Sequence, residues 1–208
     1  MMDINSVVKF FQEGGFWMYP IAGVLAIGVA IAVERFIFLT MAKSSNRKAF
    51  DAMMPFIKKR QFDALVKMAD TSAAPISRII GSGAAKMLVT QDRDEVSAAM
   101  EEGVMEALPR LEKRTSYLAT LANLATLLGL LGTIVGLIDA FAAVANADPA
   151  NKAALLSSSI SVAMNTTAFG LIAAIPLICA HALLQTRATE IVDSLEMAGV
   201  KFLNLISN

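Results

Sequence analysis

Residues 115–138 carry no charged side chain. At 1.5 Å per residue, about 20 residues of helix cross a hydrocarbon core of about 30 Å, so this stretch is long enough to span a membrane. Two further stretches read alike: residues 16–33, and residues 153–186, which is uncharged apart from His181. With 56% hydrophobic residues and a mean hydropathy of +0.59, the apolar content is gathered into long runs, which excludes a soluble globular domain. The chain is predicted to be all-α, a polytopic membrane protein with three transmembrane helices and a helical cytoplasmic domain.

The second run is not ordinary lipid-facing leucine. Gly129, Gly132 and Gly136 recur at helical spacing, and Asn123, Thr126 and Thr133 form a polar stripe beside them. Glycines so spaced let another helix approach closely. In the third run Ser159, Ala163, Thr166, Thr167, Gly170, Ala173 and Ala174 share one broad face, and Pro176 is a bend or a packing residue. These two small, hydroxyl-bearing faces are expected to pack around something. The hydroxyls of Thr133, Thr166 and Thr167 have two readings: they line an ion route, or they bond to carbonyls one turn back.

Charge sets the expected topology. Of the 18 basic residues, 13 lie between Lys43 and Arg114, where ten acids accompany them. Basic residues mark the cytoplasmic side, and Arg35, Lys43, Arg110, Lys113, Arg114 and Arg187 agree on which side that is. Only Lys9 and Lys152 fall opposite. The N-terminus is therefore expected outside and the C-terminus in the cytoplasm. The segments are an outer amphipathic lead (1–15), a first span (16–40), a cytoplasmic helical domain (41–115), a second span (116–143), an outer turn (144–153), a third span (154–186) and an amphipathic cytoplasmic tail helix (187–208). Trp17 and Tyr19 fit an interfacial belt. Short helices are expected around 49–59, 61–68 and 75–89, the last opened by Pro75. A longer one begins near Asp92, Asp94 and Glu95 and runs into the second span, with Pro109 as a possible bend.

The remaining titratable residues read more plainly. Asp139 near the outer end of its span suits a solvated interfacial acid, and His181 near the inner end suits an anchor or packed polar residue, with proton shuttling as its alternative. Glu34 and Arg35 are expected to pair with the cytoplasmic helices. The lone Cys179 excludes an internal disulfide and a cysteine-based metal site. No phosphate-binding glycine loop, nucleophile set or metal-ligand cluster is present, so no enzyme, cofactor or nucleic-acid role is expected. None of the three runs holds a carboxylate between residues 16–33, 116–138 or 153–180. A chain that conducts protons without one must borrow it from a partner.

The segments GLLGTIVGLIDAF (129–141), NTTAFGLIAAIP (165–176) and ERFIFL (34–39), in this order of spans, loop and tail, resemble the MotA/TolQ/ExbB family of proton-channel or stator subunits. The resemblance implies a homopentamer in the bacterial inner membrane around a dimeric, single-span partner of the ExbD/TolR/MotB type, whose Asp carries H⁺ or Na⁺. Ion flow then drives rotation and work on an envelope target. Thr133 and Thr167 match the family's pore threonines and Pro176 its third-span proline, with Thr126, Ser159, Asn165 and Thr166 as further pore-lining candidates and Gly129, Gly132, Gly136 and Gly170 as packing residues. The chain carries Val162 where ExbB and TolQ usually carry a glutamate, and three spans where MotA-type stators usually have four. The alternative is a non-conducting oligomerisation scaffold.

Overall fold

The computed structural model describes Phe11, residues 14–145 and residues 147–207. The outer lead, but for Phe11, Gly14 and Gly15, lies outside the described residues, as do Asn146 and Asn208. Among the described residues the regular structure is helical throughout, with no strand. The helices are α1 (Met18–Lys58), α2 (Phe62–Thr71), α3 (Pro75–Met87), α4 (Arg93–Glu112), α5 (Thr115–Ala145) and α6 (Lys152–Ser207). Three stretches of helix, in α1, α5 and α6, are long and apolar enough to cross a membrane. The chain divides into two compact units. One holds the described residues up to Val33 with Arg114–Ala182; the other holds Glu34–Lys113 with the described residues from Leu183 on.

The apolar unit is built on a seam of small residues. On α5 a run of buried positions, Thr115, Leu118, Ala122, Ala125, Gly129 and Gly132, is spaced alternately three and four apart, and Ala140 is buried further on. On α6 Ala163, Thr166, Gly170, Ala173 and Leu177 are buried with the same alternation, and Ala174 is buried beside Ala173. Such spacing keeps one stripe of each helix facing the other along its length. Met18, Ile21 and Val24 of α1 are also buried, and a Cβ on Gly28 would lie 2.5 Å from Leu177 Cδ2. The outward positions are apolar too: Leu124, Leu127, Leu130, Leu131, Ile134 and Ile138 of α5 are all exposed. A helix apolar on every side belongs in lipid or inside an assembly.

The charged unit is a helical cluster whose core includes Leu39, Met53, Ile57, Leu65, Ile79, Ile80, Met100, Leu111, Ile191 and Phe202. Arg35, only 3% exposed, stacks over Phe38 and donates to the carbonyls of Leu111 and, at 3.4 Å, Arg110. Those are last-turn carbonyls of α4 with no intrahelical donor, so a cation there satisfies them and complements the dipole. Asn46, also buried, accepts from Ile76 N–H at 3.2 Å and so supplies the cap that Ala74, at the N-cap of α3, lacks. Arg60 ends α1 in the left-handed region (φ 51°), with Gln61 N–H on Phe56 O and Arg60 N–H on Ile57 O, the Schellman pattern with arginine where glycine is usual. Its guanidinium donates to Ile206 O at 3.1 Å.

Three readings change. The helix expected around 49–59 is not separate from the first span, because α1 is continuous over 41 residues. The tail helix and third span are likewise one 56-residue helix, which Pro176 does not interrupt. Conversely, the helix starting at Arg93 does not run unbroken into the second span. Lys113 leaves helical geometry (ψ 134°) and Arg114 is left-handed (φ 66°), whereas Pro109, the expected bend, lies inside α4.

Candidate functional site

Close packing of α5 on α6 builds the site. A Cβ on Gly129 would lie 3.2 Å from Gly170 Cα and 3.3 Å from Thr167 Cα; a Cβ on Gly170 would lie 2.8 Å from Ala125 O. Only hydrogen fits between these backbones, so the helices meet at van der Waals distance. That approach brings Thr133 and Thr167 together, with their Oγ1 atoms in direct contact. Thr167 Oγ1 also donates across the helix pair to Gly129 O at 2.8 Å, and Thr133 Oγ1 lies 3.2 Å from the same carbonyl. Both threonines are half-buried.

Hydrogen counting defines the chemistry. Two hydroxyls have two hydrogens and four lone pairs. One hydrogen serves Gly129 O, and the other must lie between the oxygens, since two oxygens in contact without a hydrogen repel. The pair therefore spends its hydrogens inward and keeps lone pairs free. Such a site accepts a hydrogen bond from a protonated carboxyl or contributes oxygens to a cation, and has nothing to offer an anion.

Thr166, the neighbour, serves a different purpose. It is 2% exposed, and its hydroxyl lies 2.7 Å from Gly14 O and 2.9 Å from Val162 O, tying α6 to the turn before α1. A Cβ on Gly132 would lie 2.4 Å from Thr166 Cγ2 and 3.2 Å from Trp17 Cβ, and one on Gly136 3.0 Å from Ala163 Cβ. Val162 packs against left-handed Gly15, whose added Cβ would lie 3.3 Å from Val162 Cγ1. Gly14 and Gly15 thus belong to the site's support, although in the sequence they read only as a break. The paired glycines were the signal.

The other candidates are not part of this cluster. Thr126 is exposed and donates to Ala122 O, one turn back, at 3.1 Å. Ser159 and Asn165 are half-buried, and Pro176 is exposed on α6. Asp139 is exposed on α5. His181 Nδ1 lies 3.0 Å from Thr115 O. A carbonyl can only accept, so Nδ1 carries the hydrogen and His181 pins the start of α5 to α6. Among the described residues no three His, Cys, Asp or Glu side chains converge as a metal site would require.

Residues 71–197, more than half of the chain and including both threonines and the glycine contact, match the MotA/TolQ/ExbB proton channel family. The chain belongs to that family. Among its relatives are a putative biopolymer transport protein ExbB homolog of Methanothermobacter thermautotrophicus, 28% identical over 93% of this chain and 68% of the relative. A putative biopolymer transport protein ExbB-like 3 of Synechocystis sp. is 27% identical over 79% of this chain and 78% of the relative. As a MotA/TolQ/ExbB member with three membrane-crossing stretches, the chain is a multi-pass membrane protein.

Proposed function

We propose that this chain is the ion-channel subunit of an energy-transducing envelope machine, of the kind its relatives' names associate with biopolymer transport. In this reading five copies, in the inner membrane with the charged unit in the cytoplasm, ring the membrane helices of a dimeric single-span partner of the ExbD/TolR type. The partner's Asp carries H⁺ or Na⁺ past Thr133 and Thr167, and the movement does mechanical work. The ion is cargo; no cofactor and no enzymatic step takes part.

The Thr133–Thr167 pair is the observation that carries the reading. It is an acceptor site in an apolar unit with no carboxylate between residues 16–33, 116–138 or 153–180, and a protonated Asp or a cation is what complements it. The scaffold reading draws on one observation, the bond of Thr126 to the carbonyl one turn back, which a purely structural threonine also makes.

The test is co-purification with a single-span protein bearing a membrane Asp from the same genome, followed by native mass spectrometry. Five copies with two of the partner are expected. A homo-oligomer that takes up no such partner would sink the channel reading in favour of the scaffold.

A further inference from the structure

The charged unit holds two surfaces of opposite sign that the channel chemistry does not use. One is a groove of about 810 Å³ between the Leu39–Phe50 part of α1 and the Arg187–Lys201 part of α6, floored by Leu39, Ile76, Ile191 and Leu195. Lys43, Arg47, Arg187 and Lys201 line it against a single acid, Glu190, which Lys43 engages at 3.0 Å. Arg47, Arg187 and Lys201 have no carboxylate partner among the described residues; Arg187 rests instead over the Phe36 ring at 4.4 Å. On the groove wall Asn46 has spent its Oδ1 on α3, and its buried Nδ2 has no acceptor.

The second surface is on α4. Asp94, Glu101, Met105 and Glu112 are exposed and lie seven, four and seven residues apart, which at 100° per residue puts them within about 20° of one line along the helix. Val96, Met100, Ala107 and Leu111, the buried face, lie roughly 140° away. Glu95 and Glu106 are taken up by Lys86, Arg78 and Arg110. The acids of the line have no cation partner among the described residues. Glu112 sits at the C-terminal end of α4, where the helix dipole disfavours an acid.

We propose that the groove receives the acidic line of α4 from a second copy of this chain. The 11 helical steps from Leu39 to Phe50 make the groove about 16 Å long, and the 11 steps from Glu101 to Glu112 span the same about 16 Å. A row of carboxylates flanking Met105 meets both the cations and the apolar floor. Two-fold pairing of groove on groove would set three unpaired cations against three more. A copy whose groove takes α4 of one neighbour while its own α4 enters the groove of another makes a head-to-tail contact, the type that forms a ring when its rotation closes. The inference rests on the homo-oligomer reading above and names the surface that makes it.

Charge swapping in the full-length oligomer tests this, with copy number from native mass spectrometry and subunit exchange as readouts. E101K/E112K and R47E/R187E alter only exposed side chains, and each is expected to weaken subunit association at least about tenfold; the four changes together restore it, which misfolding cannot do. Copy number and exchange unchanged in every variant would overturn the interface while leaving the ring in place. A wild-type monomer would instead remove the oligomer reading itself. Phospholipid released by R47E/R187E with copy number intact would make the groove a lipid site and overturn the proposal.

Discussion

At the scale of single residues, threonine is used in this protein in two ways that its chemistry permits equally. Thr166 is a tie: fully buried, with both reachable acceptors belonging to the backbone. Thr133 and Thr167 share one carbonyl and one another, which leaves oxygen lone pairs uncommitted. Hydrogen bonds between membrane helices contribute only about 0.6 kcal/mol on average, about 1.7 at most, so losing one hydroxyl alters stability little. Thr133→Val is nearly isosteric and is expected to shift thermal stability of the complex by no more than that. Ion flux should fall at least about tenfold, equivalent to about 1.4 kcal/mol on the barrier. Thr133→Ser keeps the oxygen and should keep most of the flux. Reconstituted flux assays on the two variants distinguish the roles: equal flux in Val and Ser would make the pair a packing device.

At the scale of elements, the seam between α5 and α6 decides whether the site exists at all. A methyl at Gly170 would meet Ala125 O at 2.8 Å and Gly129 Cα at 3.0 Å, both backbone atoms that cannot rotate away. Gly170→Ala should therefore part the helices, costing the about 1–3 kcal/mol usual for overpacking and separating Thr133 from Thr167. Thermal melting and flux should both fall. At Gly23 a Cβ meets nothing within 4 Å, so Gly23→Ala is the matched control and should leave both unchanged in the chain. The glycine seam was legible in the sequence because period and residue size reported the same face. What was not legible came from contacts between residues far apart in the chain. A separate helix is expected around 49–59, yet Asn46 caps α3, 30 residues on, and α1 passes through unbroken. The break at Arg114 carries no glycine or proline to announce it, because it depends on a left-handed arginine. The Gly14–Gly15 pair marks a special backbone there, but its bond from Gly14 O to Thr166, 152 residues on, has no local trace in the sequence.

At the scale of the whole molecule, the location of ionisable groups limits what one copy can do. An ion crossing hydrocarbon requires a group that takes it up and releases it, and an unpaired charge at mid-membrane is costly. Between residues 16–33, 116–138 and 153–180 there is no carboxylate, Asp139 is exposed on α5, and His181 has committed Nδ1 to Thr115 O. The chain supplies oxygen acceptors and no carrier. Vesicles containing this chain alone should therefore show no more proton or sodium uptake under an imposed gradient than empty vesicles. Adding the partner should open flux that disappears when the partner's membrane Asp is changed to Asn. A fluorescent pH or Na⁺ indicator inside the vesicles reads both ions in one preparation. Conduction by the chain alone, abolished by Asp139→Asn or His181→Ala, would place the carrier within this chain and reverse the division of labour argued from its sequence.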